Sequence, residues 1–74
     1  MPNHVVNKAG LLISVNNAYK LKEDVYCLNT NYKKNDIVEV QSIYYSNNYT
    51  MAKIVSIDHR NFSMSVDIND LERA

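Results

Sequence analysis

Apolar and polar residues alternate most clearly late in the chain, where Phe62, Met64, Val66 and Ile68 fall on one side of an extended backbone and Ser63, Ser65, Asp67 and Asn69 on the other. A helix would scatter those four apolar groups around its axis, because its side chains repeat every 3.6 residues. The pattern predicts a half-buried strand. Upstream, residues 49–58 are rich in β-branched side chains, and Ile54, Val55 and Ile57 form a run too apolar to have a water-facing side throughout. They predict the middle strand of three. Residues 36–45 supply the third, with Ile37, Val38, Val40, Ile43, Tyr44 and Tyr45. Its alternation slips between Val40 and Ile43, as a bulge near Gln41 and Ser42 would cause. Ser46, Asn47 and Asn48 suit the first connection and residues 58–61 the second, because such side chains bond nearby backbone and tolerate turn geometry. The expected unit is an antiparallel meander.

Earlier segments are shorter. Residues 1–6 read as a loose start or a short edge strand. Gly10, the only glycine, marks a turn or bulge. Leu11, Ile13 and Val15 alternate with Leu12 and Ser14, which is strand-like, and Asn16 with Asn17 ends the run. Between residues 17 and 29 two patterns compete. Ala18, Leu21, Val25 and Leu28 make a helical stripe behind an Asn17 cap, whereas Lys22, Glu23 and Asp24 form a turn and residues 25–28 a strand on the other reading, which the β propensity favours. Residues 29–35 read as a polar loop. Residues 69–74 read as a closing helical turn capped by Asn69, with Glu72 reaching back and Leu71 packed beneath.

Composition narrows the class. At 74 residues the chain is one domain, 1–74, of a size that buries about 60% of its unfolded surface; self-association into a homo-oligomer would add to a thin stability margin. Eight basic and eight acidic side chains cancel, so no net field draws in duplex nucleic acid or an anionic membrane. A single cysteine, Cys27, makes no internal disulfide and reads as a small buried hydrophobe. With no secretory signal or membrane-length apolar run, the expected location is cytoplasmic. The sequons starting at Asn48 and Asn61 are then chance matches. Eleven asparagines, and six lysines against two arginines, suggest an AT-rich coding sequence of the kind found in low-GC bacteria or their viruses.

Lys34, Asn35, Asp36, Ile37, Val38, Glu39 and Val40 resemble the "K-G-D-x-V-x-V" opening of Src-homology-3-like small β-barrels, the group that includes KOW and Tudor-type modules, with Asn35 where glycine is usual. Residues 52–57 resemble the next core strand of that group, and Asp70, Leu71 and Glu72 the short turn before its last strand. The likeness runs over residues 21–74. It implies a closed or nearly closed barrel, with residues 11–15 supplying a missing strand, and recognition through loops and one face. The tryptophan and proline of a peptide-binding groove are absent, so binding of proline-rich peptides is not implied. The expected fold class is therefore mainly β: a small antiparallel barrel-like sheet of about five strands with a short C-terminal helical turn.

Two surface stretches are candidate sites. Tyr44, Tyr45, Ser46, Asn47, Asn48, Tyr49 and Thr50 have a paratope's composition, in which tyrosines give large amphipathic contacts at low entropic cost and Ser and Asn adapt their hydrogen bonds. The plainer reading is a polar hairpin tip whose rings half-cover the sheet edge. Tyr26, Tyr32, Lys33, Lys34 and Lys53 offer rings to stack bases and ammonium groups to meet phosphates; the plainer reading is a set of solvated lysines. Asp58, His59 and Arg60 invite an acid–base role, but neighbouring side chains at a strand end point apart and no nucleophile accompanies them. Cys27, His4 and His59 lack the paired spacing of a zinc site. These residues predict no enzyme, no metal and no cofactor. They favour an interaction module that binds a protein partner through Tyr44, Tyr45, Asn47, Asn48 and Tyr49, in the manner of a viral or mobile-element inhibitor or adaptor of a host protein. The alternative is single-stranded nucleic-acid or RNA binding by the Tyr and Lys patch.

Overall fold

The computed structural model describes residues 2–27, 30–58 and 62–74, with Cys27 and Thr30 by backbone alone. Among these residues the chain is mainly β. Strand β1 (His4–Val6) pairs with β2 (Leu12–Ser14), and after β3 (Ala18–Leu21) a second hairpin joins β4 (Val25–Cys27) to β5 (Thr30–Tyr32). The main sheet is antiparallel and five-stranded, in the order β8 (Ser63–Asp67), β7 (Tyr49–Ser56), β6 (Ile37–Ser46), β3, β9 (Leu71–Arg73). Its edge strands β8 and β9 are consecutive, joined only by a 3₁₀ turn at Ile68–Asp70. A flat sheet could not connect them through three residues, so the sheet curls into a barrel-like form.

Strand β6 makes the curl possible. Val40 pairs with Ile54 but Ser42 with Lys53, so Gln41 is an extra residue, the bulge expected from the slipped alternation. Before it Val38 and Val40 point inward; after it Ile43 does. Were the same residues paired without the bulge, the second half of β6 would turn Ser42 and Tyr44 into the core instead. The bulge also separates duties: β3 pairs only with the first half of β6, at Ile37, Val38 and Glu39, while β7 pairs along its whole length.

Ile13, Leu21, Val38, Val40, Ile43 and Ile54 are fully buried in one cluster. Ile54 and Val55 are both buried, as a run without a wet side requires, whereas Ile57 is exposed because β7 stops at Ser56. Met64 packs against the cluster and Val66 and Ile68 are buried within it, but Phe62 is 51% exposed. It precedes the first residue of β8 and contributes its carbonyl, which accepts the Tyr32 hydroxyl at 2.8 Å, rather than its ring.

Three other expectations change, and the competition over residues 17–29 resolves to the favoured strand reading. Residues 11–15 do not supply a strand of the main sheet: β2 pairs with β1 alone, because β3 already occupies the edge of β6 that it would need. Residues 29–35 are not simply a loop, since Thr30–Tyr32 is β5 and Tyr32 is 2% exposed. Residues 17–29 contain no helix where described: the Lys22–Asp24 turn and strand β4 are present, and β3 is a further strand. The terminal helical turn begins two residues earlier than expected. Its cap is Asp67, whose carboxylate accepts the Asn69 N–H, and Glu72 belongs to β9 with Lys20 Nζ 3.9 Å away. The Cys27 side chain, Leu28, Asn29, His59, Arg60 and Asn61 lie outside the described residues.

Candidate functional site

Strands β6 and β7 meet in a two-residue loop in which Asn47 and Asn48 have φ of 50° and 59°. Positive φ at both positions is the geometry whose twist matches that of the flanking strands, and Asn tolerates it better than any other residue with a side chain except Asp. The tip is therefore pinned by its own sequence. Cross-strand pairs run Tyr44 to Met51, Tyr45 to Thr50 and Ser46 to Tyr49. Since side chains alternate, Tyr44, Tyr49 and Met51 share the outer face, while Tyr45 leaves from the core side beyond Ile43.

The tip presents its rings unevenly. Tyr45 is 69% and Tyr49 61% exposed, and Asn47 and Asn48 are exposed with them. Tyr44 is half-buried, held by a hydrogen bond between its hydroxyl and Ser65 Oγ on β8. Met51 lies beside Tyr44 and opposite Asp67, on the same face. Periodicity could have placed Met51 there once Ala52 was assigned inward.

Beside this tip is a cleft of about 290 Å³ that joins three distant segments: Val6, Asn7 and Lys8; Asn48, Tyr49 and Thr50; Asp67, Ile68 and Asn69. Its shape is fixed from behind by Asn7, the one buried polar residue among those described. The Asn7 amide donates to the carbonyls of Ile68 and Leu71, each at 3.2 Å, and its Oδ1 accepts from the N–H groups of Ala9 and Leu11. Asn69 Oδ1 accepts the Lys8 N–H at 2.8 Å. Asp67 Oδ1 accepts both Asn69 N–H groups, main chain and side chain. Nearby, burial, with the Asp67 and Glu23 charges adding to it, raises the Asp70 carboxyl above its ordinary value, and Lys22 pulls the other way.

The second stretch does not assemble. Tyr26 is 71% exposed and Lys33 and Lys34 are exposed near it, but Tyr32 is in the core and its ring cannot stack a base. Carboxylates are interleaved here: Asp24 accepts the main-chain N–H of Lys34 and Asp36 that of Lys33, so negative groups stand within the lysine stretch. Lys53 stands in mid-β7 between Ser42 and Ser65, on a different sheet from Tyr26. Asp58 is exposed, with its N–H donating to Ser56 Oγ. Among the described residues no three His, Cys, Asp or Glu side chains gather as metal ligands, and no helix is long and apolar enough to cross a membrane.

No protein-family model matches the chain, and neither a curated protein nor a solved structure does.

Proposed function

We propose that the chain is a non-catalytic interaction module that binds a protein partner, as an inhibitor or adaptor, through the β6–β7 tip: Tyr44, Tyr45, Asn47, Asn48 and Tyr49, with Met51 beside them. The supporting observation is the exposure of Tyr45 and Tyr49 on a loop whose backbone is already fixed. Large rings on a rigid tip lose little conformational freedom on binding, which is what makes tyrosine an efficient anchor. A solvent-exposed ring with no packing role would otherwise be replaceable at no cost to the fold.

The resemblance to Src-homology-3-like barrels is retained as part of this proposal. It is supported by the bulged strand β6, by Asn35 at φ 73° where that group carries glycine, and by the 3₁₀ turn leading into the last strand. Such barrels host many functions, so the assignment of role rests on the tip alone.

Affinity capture from the source cell would supply the partner. With it in hand, Tyr45→Ala or Tyr49→Ala is expected to weaken binding about tenfold or more, the scale of an interface anchor, while the melting temperature moves little. Unchanged affinity overturns the assignment, and unfolding would show the rings to be structural. A partner that proved to be nucleic acid would reveal itself by a steep fall in affinity with added salt.

A further inference from the structure

The five-stranded sheet has two edges, and the fold covers one of them. On β3 the Lys22 N–H donates to the Asp70 carbonyl, so Glu72 also faces β3, while Leu71 and Arg73 turn their backbone groups outward. There the N-terminal turn intervenes: the Asn7 amide bonds the Leu71 carbonyl, with Ala9, Gly10 and Leu11 across a pocket from the strand. Strand β8 has no such cover. Just past β7 the Ile57 N–H donates to the Ile37 carbonyl, so odd-numbered β7 residues face β6 and even-numbered ones face β8. Met64 and Val66 therefore spend their backbone bonds on Ile54 and Ala52. The N–H and C=O groups of Ser63, Ser65 and Asp67 point outward, with no backbone partner among the described residues, and Ser63 and Ser65 are exposed. The strand also lacks the devices that keep an edge unpaired: it has no lysine or proline, and its five consecutive pairs with β7 contain no bulge.

We infer that β8 pairs with β8 of a second copy of this chain, antiparallel about a two-fold axis at Ser65. The strand's near-palindromic order, Ser63, Met64, Ser65, Val66, Asp67, singles out a second copy as the occupant. About that axis Ser65 meets Ser65, Met64 meets Val66, and Ser63 meets Asp67, so apolar groups meet apolar groups and the one charge meets a hydroxyl. The three outward residues form the hydrogen-bonded pairs, each exchanging both of its N–H···O=C bonds. Moving the axis to Met64 or Val66 forfeits one of those pairs. Eight basic and eight acidic side chains leave no net charge to hold two copies apart. Phe62, 51% exposed and one residue before the strand, brings apolar area to each end of the contact. The β6–β7 tip leaves the sheet at the Asp67 end of β8, so the axis sends the two tips in opposite directions.

A contact one strand wide lies at the weak end of specific interfaces, so sedimentation equilibrium is run from about 10 μM to about 1 mM protein. The mass is expected to rise from 8.5 kDa toward twice that. Over the same range, exchange of the Ser63, Ser65 and Asp67 amides should slow about fivefold, while the Met64 and Val66 amides, already bonded to β7, change less. A mixture of labelled and unlabelled protein should give a nuclear Overhauser effect between Met64 Hα of one copy and Val66 Hα of the other, protons too far apart within one strand to give it. Ser65→Pro removes the central outward N–H, together with the hydroxyl that Tyr44 bonds, and should leave a monomer. The charge at residue 63 gives a test that does not depend on the folding of that variant. Ser63→Asp sets carboxylates opposite each other at both ends of the contact, and Ser63→Lys sets opposite charges there; their dimer dissociation constants should differ by about tenfold, the lysine variant being the tighter. A parent that stays monomeric at the highest concentration overturns the inference, as does a dimer indifferent to the charge at residue 63 or one whose newly protected amides lie outside β8. Protection of the β8 edge only when the cellular partner is added would also overturn it, and would assign the edge to a segment of that partner.

Discussion

At the scale of single residues, Asn7 makes more side-chain hydrogen bonds than any other polar side chain among the described residues. Its four hydrogen bonds link a turn near the start of the chain to carbonyls 61 and 64 residues away. Asn7→Ala would strand the Leu71 carbonyl and two N–H groups, while the Ile68 carbonyl keeps the Leu71 N–H, so a loss of about 2–3 kcal/mol is expected in urea denaturation. Asn7→Asp should be worse, because it sets a carboxylate oxygen against both carbonyls. Asp70 behaves oppositely. Its folded-state carboxyl titrates above its ordinary value of 3.8, first because of burial and then because of Asp67 and Glu23. The folded state therefore binds the proton more tightly than the unfolded one, and the stabilisation is complete below 3.8 and lost as pH rises through the folded-state value. Asp70→Asn removes that loss: the variant should be more stable than the parent at neutral pH, by less than about 1 kcal/mol for a solvent-screened group. The gap should close in strongly acid solution, which thermal melts across a pH series would measure.

At the scale of elements, asparagine takes the part usually given to glycine. Asn16, Asn35, Asn47 and Asn48 all have positive φ, as does the single glycine, Gly10. The high asparagine content thus has a conformational use, whatever its origin in the coding sequence. Asn48→Gly should leave stability about unchanged, whereas Asn48→Ala should cost about 1–2 kcal/mol, since alanine lacks asparagine's tolerance of the left-handed region. Urea melts of the two variants distinguish these outcomes. The strands of the β6–β7–β8 meander were legible because alternation is a local signal, and even the bulge at Gln41 left its mark as a slipped period. The inward position of Tyr32 was not. Its polar neighbours Asn31 and Lys33 suggest a loop, and the partner that stabilises it, the Phe62 carbonyl, is 30 residues away. Likewise the exposed tip was visible as a run of Tyr, Ser and Asn, while the cleft beside it was hidden, because it exists only where residues 6–8, 48–50 and 67–69 converge.

At the scale of the whole molecule, the N-terminal hairpin has the topology of an appendage, since neither of its strands joins the five-stranded sheet. Packing argues otherwise. Ile13 is completely buried in the main cluster, Val5, Leu11 and Val15 pack against it, and Asn7 braces the 3₁₀ turn through which the curled sheet connects its two edges. Burying Ile13 alone is worth about 1.5–3 kcal/mol, and the half-buried side chains and the Asn7 bonds add to that. A domain of this length has a total stability of only about 4–11 kcal/mol. Deleting residues 1–15 should therefore abolish cooperative unfolding, even though every strand of the main sheet is retained. The measurement is a thermal melt of residues 16–74 followed by circular dichroism. A sigmoidal transition near the parent's midpoint would mean that the five strands make a self-sufficient barrel and that the hairpin merely decorates it. A featureless melt, restored to a sigmoid by adding a peptide of residues 1–15, would show that the core is completed from outside the sheet. That outcome would also explain how the cleft holds its shape, because one of its walls would then be part of what folds the domain.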